Sequence, residues 1–81
     1  MTNATAMSLN QIVSKILLLD ETEINDRTSR KDINEWDSMT HLVLIAEVES
    51  TFGIMMSDDD ISGIRTVGDI RTILRKLGAR A

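Results

Sequence analysis

The stretch Glu35-Trp36-Asp37-Ser38-Met39-Thr40-His41-Leu42-Val43-Leu44-Ile45-Ala46-Glu47-Val48-Glu49-Ser50-Thr51-Phe52-Gly53 decides the fold. From Ser38 to Phe52 it reads as one helix, which Asp37 can start by accepting hydrogen bonds from the first free N–H groups and Gly53 can end. With Ser38 at zero and about 100° per residue, Leu44, Ile45, Val48 and Phe52 share an arc of roughly 240° to 340°, the expected core face. His41 points toward that arc, where a histidine is expected to be a hydrogen-bonded, partly buried side chain rather than a catalyst. Met39, Leu42, Val43 and Ala46 fall at roughly 40° to 140°, beside Ser38. Glu49, eleven residues after Ser38, lies about 20° from it and three turns along. An apolar strip with an acidic edge thus leads away from the serine, as a docking patch for a partner with a basic-rimmed hydrophobic groove would.

Working outward, Leu9, Ile12, Ile16 and Leu19 follow helical spacing, so a helix is expected over Ser8 to Leu19 with Ser8 as its cap. Asp20 to Trp36 has no sustained period; Ile24 and Ile33 are its expected anchors, with a helical turn near Thr28 to Asp32. Ser57 and Asp60 have the spacing of a capping box, predicting a short helix over Ser57 to Ile61. Thr66 and Asp69 repeat that spacing before a helix expected from Val67 to Leu77, which Gly78 stops. Ile54-Met55-Met56 is too short to read as a strand between these signals. The expected fold is therefore all-α, a small four-helix bundle with three longer helices and one short third helix. The expected single domain is 8–78, between an unstructured tail over 1–7 and a C-terminal tail over 79–81.

Composition narrows the function. The 81 residues include no cysteine and one histidine, which removes disulfides, thiolate zinc sites and histidine metal clusters. The net charge of −4 argues against nucleic acid as a partner. Its distribution is uneven. Between Lys31 and Arg65 there is no basic residue, while Asp32, Glu35, Asp37, Glu47, Glu49, Asp58, Asp59 and Asp60 all lie there. That middle should attract an electropositive partner. The start of the chain lacks the basic and apolar regions of a secretory signal, and no run approaches a membrane span, so a cytoplasmic protein without a membrane partner is expected.

Ser38 is the candidate modification site. A hydroxyl at a helix start sits beside N–H groups without intrahelical acceptors, so a phosphate attached there is stabilised. No base and orienter accompany any serine, and no Gly-x-Ser-x-Gly elbow occurs, so there is no candidate catalytic residue for a hydrolase.

Trp36-Asp37-Ser38-Met39, with Glu47-Val48-Glu49-Ser50-Thr51-Phe52-Gly53-Ile54, resembles the acyl carrier protein family. Ser57-Asp58-Asp59-Asp60 resembles its acidic third-helix region and Thr66-Val67-Gly68-Asp69-Ile70 the start of its last helix, so the likeness runs from about Leu9 to Leu77. The resemblance implies a monomeric carrier and not an enzyme. Ser38 would accept 4′-phosphopantetheine from coenzyme A through a magnesium-dependent phosphopantetheinyl transferase. The arm would carry acyl groups as thioesters between acyl-loading and acyl-processing enzymes, with Asp37, Met39, Leu42, Val43, Ala46 and Glu49 as partner contacts. Three departures from the usual pattern involve four positions: Met39 stands for Leu, Trp36 for Gly, and Val43 and Ser50 occupy places five and twelve residues after the serine where fatty-acid carriers commonly have acids. These departures point away from bulk fatty-acid synthesis toward a specialised fatty-acid, polyketide or related pathway.

Two rivals remain in the sequence. Asp58, Asp60, Ser62 and Asp69, with Gly63, fall at calcium-loop positions, although Arg65 and the short Asp69 suit a divalent ion poorly. Alternatively, Ser38 only caps its helix and the strip binds a partner without any cofactor.

Overall fold

A computed structural model describes residues 8–79. It contains α1 (Leu9–Leu17), α2 (Ser38–Phe52), α3 (Asp58–Gly63) and α4 (Val67–Lys76), with 3-10 turns at Glu21–Glu23 and Arg30–Asp32 inside the long α1–α2 loop. No strand occurs among the described residues; the single extended pairing is an isolated antiparallel bridge between Ser29 and Thr66.

Each helix starts on a side-chain oxygen, as the sequence spacing predicts. Ser8 and Gln11 form a reciprocal capping box, with Gln11 N–H to Ser8 Oγ at 3.2 Å and Ser8 N–H to Gln11 Oε1 at 2.8 Å. Thr66 and Asp69 do the same for α4. At α3 the Ser57 hydroxyl accepts from Asp60 N–H at 3.1 Å, while the Asp60 carboxylate pairs with Lys76 Nζ at 3.2 Å and joins α3 to α4.

The ends differ slightly from expectation. α1 stops at Leu17 rather than Leu19, because Leu18 turns into the left-handed region (φ 59°) and its N–H returns to Ser14 O. The Ser14 hydroxyl then donates to Leu19 O, closing the last turn. α3 begins one residue after its cap and runs to Gly63 instead of Ile61. α4 ends at Lys76, with Leu77 as its cap residue. At α2, Gly53 takes φ 65° so that its N–H can reach Glu49 O, a left-handed cap that costs glycine little.

The core joins Leu9, Ile12, Val13 and Leu17 of α1 to Leu44, Ile45 and Val48 of α2 and Val67, Ile70, Ile73 and Leu74 of α4. Ile64, before α4, and Met56, before α3, complete its floor, while Phe52, Ile16 and Leu19 pack at its edge. From the long loop Ile24 is buried and Ile33 partly so, the two anchors predicted. Trp36 also enters the core, which the sequence reading did not foresee. The loop is further tied to α4 by Val67 N–H to Thr28 O at 3.0 Å and Gly68 N–H to Asp26 O at 2.9 Å. Residues 1–7, 80 and 81, to which the tail expectations chiefly refer, lie outside the described residues. Ala79 packs partly on the core and donates its N–H to Leu74 O at 2.8 Å.

Candidate functional site

The site is built where the long loop delivers the chain into α2. Asp37 keeps extended backbone (φ −87°, ψ −176°), and its Oδ1 accepts from Thr40 N–H at 2.8 Å. That backbone bond, seconded by the Thr40 hydroxyl, holds the Asp37 carboxyl below the usual aspartate range, so it is ionised at neutral pH. Ser38 follows as the first residue of the 15-residue α2 and is exposed. Among the described residues nothing bonds its hydroxyl. The first-turn N–H groups beside it lack intrahelical acceptors and carry the positive end of the helix dipole.

Beneath the serine two buried side chains are joined by hydrogen bonds. Trp36, two residues earlier, is only 3% exposed, and its indole Nε1–H donates to His41 Nδ1 at 2.9 Å. His41 Nε2 lies 2.9 Å from Ile61 O in α3. One side chain of the second turn of α2 therefore holds both the loop that presents Ser38 and the neighbouring short helix. Burial keeps the His41 imidazole below its ordinary pKa, with the Arg30 charge acting in the same direction and the Ile61 carbonyl opposing. The sequence placed His41 toward the core, but Trp36 as its partner was missed. A buried indole needs an acceptor, and the imidazole one helical turn past the serine was the available signal.

The remaining residues singled out by sequence divide by exposure. Met39 is 77%, Leu42 61% and Val43 53% exposed, and Ala46 is exposed beside them. Met55, beyond the helix end, is 84% exposed. Glu49 is half-buried, and its Oε2 accepts from Met56 N–H at 2.8 Å, fastening the α2–α3 connection. α2 is thus apolar on two sides, and one of them is uncovered.

The calcium-loop alternative finds a different local structure. Asp58–Gly63 is helical, Asp60 is paired with Lys76, and Asp69 Oδ2 accepts the N–H groups of Arg65 and Thr66 at 2.8 and 3.1 Å. Among the described residues no group of three or more acidic or histidine side chains is placed to hold a metal ion. No described helix is long and apolar enough to cross a membrane.

The small helical bundle thus holds out an unengaged hydroxyl at the head of α2 beside an apolar strip that the described residues leave exposed. The family model for the phosphopantetheine attachment site matches residues 8–74. The chain is 32% identical over 71 residues to an acyl carrier protein of Rhodococcus erythropolis, covering 88% of this chain and 78% of that one. It is 32% identical to an acyl carrier protein of Thermotoga maritima, with 84% of each covered, and 30% identical to the meromycolate extension acyl carrier protein of Mycobacterium leprae, covering 83% of this chain and 58% of that one. The chain belongs to the acyl carrier protein family, and its cofactor is covalently attached 4′-phosphopantetheine, on which acyl groups are carried.

Proposed function

We propose that Ser38 is the residue that bears the phosphopantetheine arm, and that residues 8–78 act as one non-catalytic carrier domain in the cytoplasm. The observation that carries this reading is the exposed, unbonded Ser38 hydroxyl at the head of α2. The site fits the group in one respect: the first-turn N–H groups and the positive end of the helix dipole would offset the charge of a phosphodiester on Ser38 Oγ, while the neighbouring Asp37 carboxylate, with one oxygen committed to Thr40, would not contribute to that stabilisation. When bound, the arm supplies the thiol that this cysteine-free chain lacks. In the loading step a phosphopantetheinyl transferase forms the Ser38 Oγ–phosphorus bond, breaks the pyrophosphate link of coenzyme A, and takes up the hydroxyl proton as adenosine 3′,5′-bisphosphate leaves.

Asp37, Met39, Leu42, Val43, Ala46 and Glu49 form the surface met by the transferase and by acyl-loading and acyl-processing enzymes. Its apolar centre and sparse acids suit partners that dock largely through hydrophobic contact. Val43 in place of an acid, together with relatives named for meromycolate extension, supports a specialised fatty-acid or polyketide pathway.

Intact-mass spectrometry after incubation with coenzyme A, magnesium and a broad transferase tests the assignment. One added phosphopantetheine is expected, and none on Ser38→Ala. Unchanged mass of the parent chain with several competent transferases overturns it.

A further inference from the structure

We propose that His41 is a positioning residue for the loading of Ser38: through Trp36 it sets how the serine is presented to the transferase, and through Ile61 O it ties that presentation to α3. The proposal rests on the reading of Ser38 as the attachment residue and deepens it by naming what holds that residue in place.

Three hydrogen bonds close a ring around the serine. His41 N–H donates to Asp37 O at 2.8 Å, the first bond of the α2 ladder. Thr40 N–H donates to Asp37 Oδ1 at 2.8 Å. The Trp36 indole N–H donates to His41 Nδ1 at 2.9 Å, so two side chains five residues apart are joined across Ser38. Within that ring Asp37, Ser38 and Met39 are exposed, whereas the residues that close it, Trp36 and His41, are buried. Of the three bonds, the Trp36–His41 bond alone reaches back beyond the cap. It therefore fixes the direction in which the long loop enters α2, and Trp36 N–H, donating to Ile33 O at 3.0 Å, carries the constraint one turn further back.

Stability does not call for this pair. Two apolar groups of the same shape would serve the fold about as well as a matched buried hydrogen bond. A satisfied buried polar pair instead selects one geometry among the packings that an apolar core accepts, and here the geometry selected is the path of residues 36–41. The second imidazole nitrogen extends the selection to α3. His41 Nε2 lies 2.9 Å from Ile61 O, and every residue of α3 is at least partly exposed. The Asp60–Lys76 pair that also holds α3 is open to solvent and contributes little. One side chain thus braces the short helix against the loop entrance from which Ser38 projects.

A transferase meeting a loosened entrance finds the serine correctly placed in only a fraction of the chains, and apparent affinity falls by that fraction. The deficit therefore appears in KM, with kcat little changed.

The test measures transferase-catalysed loading by intact mass, with kcat and KM resolved, beside the thermal midpoints of the same proteins. His41→Leu removes both side-chain bonds and is expected to raise KM severalfold. His41→Asn returns an acceptor at the place of Nδ1. It should recover most of that loss, and the Trp36 indole N–H signal in a ¹⁵N spectrum should return toward its parent position. His41→Gln reaches Ile61 O with its amide but leaves the place of Nδ1 without an acceptor, and should raise KM as His41→Leu does. If His41→Leu does not fold, the Asn and Gln variants still decide the matter. Equal KM values for those two overturn the proposal, and so does a KM that follows the thermal midpoint across the series, the mark of a purely structural role. In both cases the parent chain still gains its prosthetic group and the Ser38 reading stands. Unchanged mass of the parent chain overturns that reading and this proposal together.

Discussion

The indole N–H of Trp36 points at Nδ1 of His41 across 2.9 Å, and this fixes the state of the imidazole. An indole can only donate, so Nδ1 must be the unprotonated acceptor and the proton sits on Nε2, which donates to Ile61 O. The neutral Nε2–H tautomer is thus the one form that satisfies all three groups.

Protonation of His41 should therefore loosen the fold in a defined pH window. Its folded pKa lies below the unfolded value near 6.5, so the unfolded chain binds the proton first. The stabilisation is fully present above about pH 6.5 and is lost as pH falls from there through the lower folded pKa. Asp20 and Asp37, held low by the Thr22 and Thr40 hydrogen bonds, act in a separate, more acidic window. Their contribution is complete above the unfolded aspartate value of about 3.9 and lost as pH drops through their depressed values. Urea unfolding between pH 8 and pH 5, followed by the fluorescence of the single tryptophan, should show stability declining below about pH 6.5. A flat profile across that interval would contradict the hydrogen-bond assignment.

Replacing Trp36 by Phe keeps most of the buried ring but leaves Nδ1 without its donor. An unsatisfied buried acceptor costs about 1–3 kcal/mol, and Trp36→Phe should destabilise by that order. In a double-mutant cycle with His41→Leu the two losses should be non-additive, because both break the same bond. Additive losses would mean that the contact contributes nothing of its own.

Helix starts were legible because each is written locally: Ser8, Asp37, Ser57 and Thr66 all stand three residues before the N–H their side chains bind. The exposed strip was legible too, since Met39, Leu42, Val43 and Ala46 recur at helical spacing away from the core arc. What escaped was mostly long-range. His41 reaches Ile61 across 20 residues, and the Arg30–Arg65 backbone contact joins segments separated by α2 and α3; the Trp36–His41 bond is local, but no hydrophobic period marks it. Leu18 in the left-handed region escaped for a related reason: a leucine there signals nothing in sequence, and the turn is fixed by Ser14.

Glu49 and Val43 should separate surface from scaffold. Val43 is exposed and makes no polar contact, so Val43→Glu should change stability by no more than about 0.5 kcal/mol while lowering turnover by partner enzymes. Glu49→Ala removes the acceptor of Met56 N–H and should cost about 1–2 kcal/mol, whereas Glu49→Gln retains a carbonyl oxygen and should cost less. Thermal unfolding set against transferase kcat/KM distinguishes the two. Equal stability losses at both positions would place the strip in the core.

Gly68 offers a test in which helix propensity and packing predict opposite signs. It is the second residue of α4, where alanine would ordinarily be favoured over glycine by up to about 1 kcal/mol. A Cβ built on Gly68, however, comes 2.9 Å from Asp26 O and 3.0 Å from Asp26 Cβ. The first of these is backbone, and it is the same carbonyl that accepts Gly68 N–H at 2.9 Å, so it cannot withdraw without breaking the bond that ties the long loop to α4. Overpacking of this kind costs about 1–3 kcal/mol, enough to outweigh the propensity gain. Gly68→Ala should therefore lower the urea midpoint. It should also weaken amide-exchange protection around Asp26 and Arg27, leaving the far end of α4 at Ile73 and Leu74 protected until global unfolding. A midpoint that rises instead would show that the loop yields freely and that its contact with α4 does not order the approach to Ser38.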